Sequence, residues 1–260
     1  MSSVEKNRLK KDFNRAAVHY DEHALLQKNV AHNLFSMALE RWPRGTRVLD
    51  AGAGTGFFSR FSALNHTGFT VIALDIAWRM CELSSHEPHT LVVNADMEML
   101  PVKSASLDAI VSSLALQWVG SSAAVFQECN HALRKGGELL FATIIEGTLS
   151  ELAESFAAIG EPHRVGEFTT EKALYEEITK AGFEQISITL QPIVLHYPDV
   201  LTLLHSIKHI GAASKLEDRN RGFLKRSSLK KLEETYKSMF MEEDRLKATW
   251  NIVYIKAKKL

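Results

Sequence analysis

The sequence predicts an α/β fold, a mainly parallel sheet covered by helices on both faces. Three observations predict it. Short β-branched runs alternate with longer helical patterns. An apolar strand runs straight into a glycine-rich loop that opens a helix. The chain has 260 residues, 45% hydrophobic and 24% charged, enough to bury the core that one domain of this kind needs.

Taken in order, residues 13–27 place Phe13, Ala16, Tyr20, Ala24 and Gln27 at helical spacing on one face. Phe13, Ala16 and Ala24 read as a packing stripe, whereas Tyr20 and Gln27 bring polar tips onto that inward face. Seven strand patterns follow: TRVLDA (46–51), FTVIALD (69–75), TLVVNA (90–95), LDAIVSSLAL (107–116), ELLFATI (138–144), EQISITLQ (184–191) and TWNIVYIKAKK (249–259). In LRKGGELLF the basic residues read as a last helical turn, with Gly136 and Gly137 stopping the helix before a strand. Helices are expected over 150–160 and over 170–181, the second ended by Gly182. Residues 196–245 read as helical throughout, too long for an ordinary connection and so a functional insertion.

Composition excludes several classes. Lysine plus arginine (31) balances aspartate plus glutamate (31), so no global positive field exists to hold nucleic acid. No apolar run reaches about 18 residues, and the N-terminus carries charges where a secretory core would need apolar residues. A cytoplasmic chain with no membrane contact is expected. Cys81 and Cys129 make neither a disulfide framework nor a zinc module, and no metal site is expected.

The loop VLDAGAGTGFF (48–58) carries the chemistry. Gly52, Gly54 and Gly56 follow the first strand, at the carboxyl end of the sheet where ligands bind open α/β folds. The second and third glycines stand two places apart, not three, which disfavours a dinucleotide, and no G-x-x-x-x-G-K-[ST] cradle is present. Asp50, just before the loop, would repel a pyrophosphate and attract an amino group. Asp75 ends the second strand, placed to accept from a ribose diol. Asp96 follows the third, where it could accept from an adenine amine while the Met97 N–H donates to a ring nitrogen. Singly, such aspartates are commonly caps or turn residues. Their placement at the ends of three successive strands points to one ligand. The pattern resembles the D/E-x-G-x-G-x-G motif of Rossmann-like class I S-adenosylmethionine-dependent methyltransferases. The resemblance implies a seven-stranded sheet, S-adenosyl-L-methionine as cofactor, S-adenosyl-L-homocysteine as product, and cofactor contacts from Ile76 and Leu114 as well.

The stretches FNRAAVHYDEHALLQ (13–27), LALQWV (114–119), SIKHIGA (206–212) and LKRSSL (224–229), with the glycine loop, are similar to the malonyl-acyl-carrier-protein O-methyltransferases of the BioC type. At Ala53 and Thr55 the chain departs from family forms that carry cysteine and proline. The resemblance implies one domain over 1–260, divided into a helical lid (1–42), a cofactor core (43–195), a helical insertion for substrate and partner (196–245) and a final strand (246–260). It implies methylation of the free carboxylate of a malonyl thioester, on acyl carrier protein or coenzyme A, to begin pimeloyl synthesis for biotin. O-methylation of another small carboxylic acid is the alternative. A monomer is expected.

A carboxylate is ionised at neutral pH, so no general base is required, and alignment with exclusion of water does the work. An amide or adenine N-methyltransferase would show [DN]-P-P-[YF] after the fourth strand, where this chain has Ser112, Ser113, Leu114, Ala115, Leu116 and Gln117. In the family reading Gln27 lies near the methionine end of the cofactor and Tyr20 against the methyl-transfer centre, as catalytic and substrate-binding residue. Gln117 and Trp118 would lie over the methyl, while Lys208, His209 and Arg226 are candidates to hold the acceptor. Between residues 215 and 231, seven basic residues stand against two acidic ones, a local charge of 7 − 2 = +5 that suits an acidic carrier protein or a solvated helix face. Ser227 or Ser228 reads as a helix cap.

Overall fold

A computed structural model describes residues 3–162, 166–207 and 224–260. Its N-terminal segment is α1 (Ser3–Ala16), a 3-10 turn (Ala17–His19), α2 (Tyr20–His23) and α3 (Leu25–Arg41). The single stripe expected over 13–27 is thus broken at His19 and Ala24, whose backbones leave the helical region. Small side chains explain where the breaks fall. Ala17 packs with Ala77 and Met80, and Ala24 with Ala31 and Phe57, so the chain bends to sink both alanines.

The sheet elements are β1 (Arg47–Ala51), β2 (Thr70–Asp75), β3 (Thr90–Asn94), β4 (Leu107–Ser113), β5 (Leu133–Ile144), β6 (Glu184–Tyr197), β7 (Met241–Glu242) and β8 (Arg245–Lys258). Around them lie α4 (Phe57–Leu64), α5 (Trp78–Ser84), a 3-10 turn (Leu116–Trp118), α6 (Ser122–Ala132), α7 (Ser150–Ala158), α8 (Glu171–Lys180), α9 (Val200–Ile207) and α10 (Arg226–Phe240). Two starts are dictated locally. Ser121 Oγ accepts from Ala124 N–H at 3.1 Å to open α6, and Thr170 Oγ1 accepts from Ala173 N–H at 3.1 Å to open α8.

The strand order is β3-β2-β1-β4-β5-β8-β6, with β7 paired on β8, so the sheet has eight strands rather than seven. Strands β1 to β5 are parallel, and β8 runs antiparallel between β5 and β6. Alternate residues feed two cores. Val48, Val111 and Leu140 face α3, α7, α9 and α10, while Leu49, Ile110 and Phe141 face α6 and α8. The order reverses between β1 and β4, which opens a crevice at their carboxyl ends.

Three further sequence expectations change. The residues LRKGG are not helical: α6 stops at Ala132, and Arg134 Nε donates to Asp108 Oδ1 at 2.5 Å, aligning this segment with β4 at an irregular start to β5. The stretch 196–245 is bounded by strand, because β6 continues along β8 to Tyr197 and β7 returns through a two-residue turn. Glu243 and Asp244 take positive φ there, 48° and 60°, the primed turn that matches strand twist. Lastly, Ser227 and Ser228 do not cap α10. Lys225 is its N-cap, and Ser228 Oγ donates to Glu161 at 2.7 Å instead. Among the described residues no helix is long and apolar enough to cross a membrane. Cys81 and Cys129 are buried and unpaired.

Candidate active site

Beyond β1 the chain turns back on itself. Gly52 and Ala53 N–H both donate to the Leu74 carbonyl, at 2.8 and 3.0 Å, pinning the loop to the end of β2. Gly52 has φ +79°, and a Cβ there would lie 2.3 Å from the Ala115 Cβ, so no other residue fits. A Cβ on Gly54 would meet nothing within 4 Å, because that glycine fronts open space. That space is a cavity of about 1120 Å³, mouth included.

Two of the three expected carboxylates border this cavity directly. Asp75 accepts from Gly54 N–H at 2.9 Å and from Ala77 N–H at 2.8 Å. Burial raises its pKa to about 6 despite these bonds. Asp96 accepts from Lys6 Nζ at 2.7 Å and from Glu98 N–H at 3.0 Å. Asp50 lies behind the loop, 3% exposed, on a recess of about 350 Å³ that shares Tyr20, Gln27, Gly52, Gly54 and Ser113 with the large cavity. Burial, then the neighbouring Asp75 charge, pushes its pKa up to about 7.

Ile76, Met97 and Leu114 line the large cavity, as do Tyr20, Gln27 and Gln117. Leu114 holds φ +51°, an uncommon conformation for a leucine, and lets the chain double back after β4. Gln117 then donates to the Leu114 carbonyl at 2.7 Å and accepts from Thr143 Oγ1 at 3.1 Å, so much of its amide already serves the fold. Burial, Asp75 and Asp21 raise the Tyr20 pKa, so Tyr20 stays a neutral phenol, a donor rather than a base. Gln27 is 8% exposed, and its Oε1 has no partner among the described residues. Gly56 is the N-cap of α4, packed against Ser84 and Glu87 rather than on the cavity.

The rest of the expected acceptor set divides. Lys208 and His209 lie outside the described residues. Arg226 is exposed at the start of α10 and is not among the described residues that line the cavity. The turn into α10 points its first side chains to solvent while Leu232 and Tyr236 take the buried face. His23, outside that expected set, is exposed and borders a separate recess.

Sequence reasoning missed Ser113 and Trp250. Ser112 Oγ donates to the Ala51 carbonyl at 2.6 Å, but the buried Ser113 Oγ beside it finds no partner among the described residues. Two serines ending an apolar strand were the available signal. Trp250, 3% exposed on β8, joins Trp118, Ile144, Leu149, Phe168 and Ile207 in a mainly apolar wall beyond β4 and β5. Among the described residues no group of histidine, cysteine or acidic side chains is placed to hold a metal.

The site is therefore acidic at the ends of β1 to β3 and apolar beyond β4. Orphaned Gln27 and Ser113 oxygens, and the open face of Gly54, fit a nucleoside with a cationic amino-acid tail. Comparisons agree. A family model described as a methyltransferase domain matches residues 49–141. The YcgJ protein of Bacillus subtilis shares the fold, with a TM-score of 0.61 and 14% identity over 88% of this chain and 98% of its own. A phosphoethanolamine N-methyltransferase 2 of Haemonchus contortus, solved with S-adenosyl-L-methionine, has a TM-score of 0.58 and 17% identity, covering 95% of this chain and 57% of its own. Malonyl-[acyl-carrier protein] O-methyltransferases from Laribacter hongkongensis and Methylococcus capsulatus are 33% and 36% identical. The matches cover 96% and 86% of this chain and 88% and 83% of theirs. Near full-length coverage at this identity, with the glycine loop and its carboxylates in place, makes the chain a member of the malonyl-[acyl-carrier protein] O-methyltransferase family of S-adenosylmethionine-dependent enzymes.

Proposed function

We infer that the protein methylates the free carboxylate of a malonyl thioester borne on acyl carrier protein, giving the methyl ester that starts pimeloyl synthesis for biotin in the cytoplasm. One observation carries this reading. Among the described lining residues the wall beyond β4 offers no titratable side chain; Lys6, Asp75, Asp96 and Glu98 belong to the cofactor end, and Tyr20, packed beside Ala77, Met80, Ala24 and Phe57, faces the cavity between the two. Tyr20 is held neutral there. An acceptor that had to lose a proton would lack a base, whereas a carboxylate arrives ionised.

Asp50 and the Gln27 Oε1 would accept from the methionine ammonium, Asp75 from the ribose hydroxyls, and Asp96 from the adenine amine. Bound there, the sulfonium supplies an electrophilic methyl group. The apolar wall strips water from the acceptor carboxylate and so raises its reactivity toward that methyl. Tyr20 donates a hydrogen bond that orients one carboxylate oxygen. The thioester arm and its acidic carrier meet the exposed Lys225, Arg226, Lys230 and Lys231 around the start of α10.

The test is to incubate the purified protein with S-adenosyl-L-methionine and either malonyl-acyl carrier protein, malonyl-coenzyme A or free malonate. Base-labile methyl ester on the carrier-bound malonyl group, seen by mass spectrometry, is the expected product. Equal turnover of free malonate or of unrelated small acids would replace this substrate with the broader carboxylic-acid reading.

A further inference from the structure

We propose that Lys6 is a positioning residue that orders the nucleoside end of the methyl donor and, through Glu98, ties it to the wall where the acceptor lies. This rests on the cofactor assignment above. Lys6 Nζ contacts Asp96 at 2.7 Å and also pairs with Glu98. The second oxygen of Glu98 accepts from Ser121 N–H at 2.9 Å, at the N-cap of α6, directly after the turn that carries Gln117 and Trp118. Seven residues along α1 from Lys6, on the same helical face, Phe13 meets Trp118 edge-on at 5.7 Å between ring centroids. One short helix therefore touches both halves of the site.

The charges explain why a lysine stands there. Asp96 and Glu98 are neighbouring carboxylates that only partly reach water, with side chains 23% and 13% exposed, and Lys6 is itself only 25% exposed. Repulsion between them in that setting is screened far less than at an open surface. The ammonium bridges both and offsets their repulsion, and with the Glu98 N–H it leaves each Asp96 oxygen held by one donor and free to accept another. Without the ammonium, Asp96 loses its orientation and α1 loses its polar tie to the loop after β3. Phe13 then no longer backs Trp118.

The experiment compares Lys6→Gln, Lys6→Arg, Glu98→Gln and Lys11→Gln, the last an exposed lysine on the same helix. S-adenosyl-L-homocysteine binding is measured by calorimetry, and methyl transfer at saturating donor gives acceptor KM and kcat. Lys6→Gln should weaken nucleoside binding about 10- to 100-fold, the loss of a charge-assisted hydrogen bond. It should also raise acceptor KM at saturating donor. Lys6→Arg should recover most of the affinity, and Lys11→Gln none of these effects. Glu98→Gln should raise acceptor KM and leave nucleoside affinity within about threefold, the split a merely structural role would not give. Unchanged nucleoside binding in Lys6→Gln, or an equal loss in Lys11→Gln, would overturn the proposal. A wild-type protein that fails to bind the nucleoside would sink the cofactor assignment as well.

Discussion

Asp50 and Asp75 are acids kept partly protonated near neutrality by burial, with pKa values near 7 and 6. An ammonium-bearing ligand needs Asp50 ionised, so its binding releases a proton at low pH. Affinity for S-adenosyl-L-homocysteine should rise about tenfold per unit of pH below 7 and level off above it. Asp50→Asn should flatten that slope, and a slope that survives would remove Asp50 from the ammonium site. Tyr20→Phe keeps the ring packing and deletes the donor; kcat should fall at least tenfold while nucleoside affinity changes less than threefold, measured by single-turnover kinetics and calorimetry. Equal losses in both would displace Tyr20 from the acceptor. At this scale the sequence was legible wherever a residue's place follows from its strand, as for Asp50, Asp75 and Asp96 at the ends of β1 to β3. It was silent on Lys6 and Trp250. Lys6 reaches Asp96 across ninety positions of sequence, and no spacing rule encodes a partner that distant.

Strands and helices were legible where their pattern is local. β1 to β4 fall within a residue or two of their expected starts because apolar β-branched runs end in turn residues. The start of β5 was misread because its basic residues imitate a helical last turn, and what overrides them is the Asp108 carboxylate, accepting from Arg47 and Arg134 on either side. The breaks between α1 and α3 were invisible because alanine favours helix, and only tertiary burial of Ala17 and Ala24 bends the chain at His19 and Ala24. Packing across β5 sets a stability test. Phe141 is fully buried against Phe126, ring centroids 5.9 Å apart, and Phe141→Ala should cost about 3–5 kcal/mol in urea unfolding. Tyr236 donates from α10 to the Lys247 carbonyl at 2.7 Å, so Tyr236→Phe should cost about 1 kcal/mol. A neutral result at either position would mean that the element concerned packs differently.

On the scale of the molecule, the two acids bias folding as well as binding. Their folded-state pKa values lie above the unfolded value of 3.8, so between about pH 4 and 7 the folded, ligand-free protein holds more protons than the unfolded chain. Their contribution is therefore full below pH 4 and is lost as pH rises through 7. Bound nucleoside compensates the ionised Asp50, so the gain in Tm from S-adenosyl-L-homocysteine should widen between pH 5.5 and 8. A constant gain would mean that these acids do not face the ligand. Reversing Lys225 and Arg226 to glutamate should raise KM for malonyl-acyl carrier protein several-fold and raise it less for malonyl-coenzyme A, whose phosphates present a smaller anionic area than the carrier's acidic surface. The strand order has a separate consequence for biosynthesis. On the ribosome β6 emerges before β8, yet in the finished sheet β8 lies between β5 and β6. A nascent chain therefore leaves the flank of β5 bare until Arg245–Lys258 is translated and slots in, a window during which chaperones or a neighbouring nascent chain can capture it.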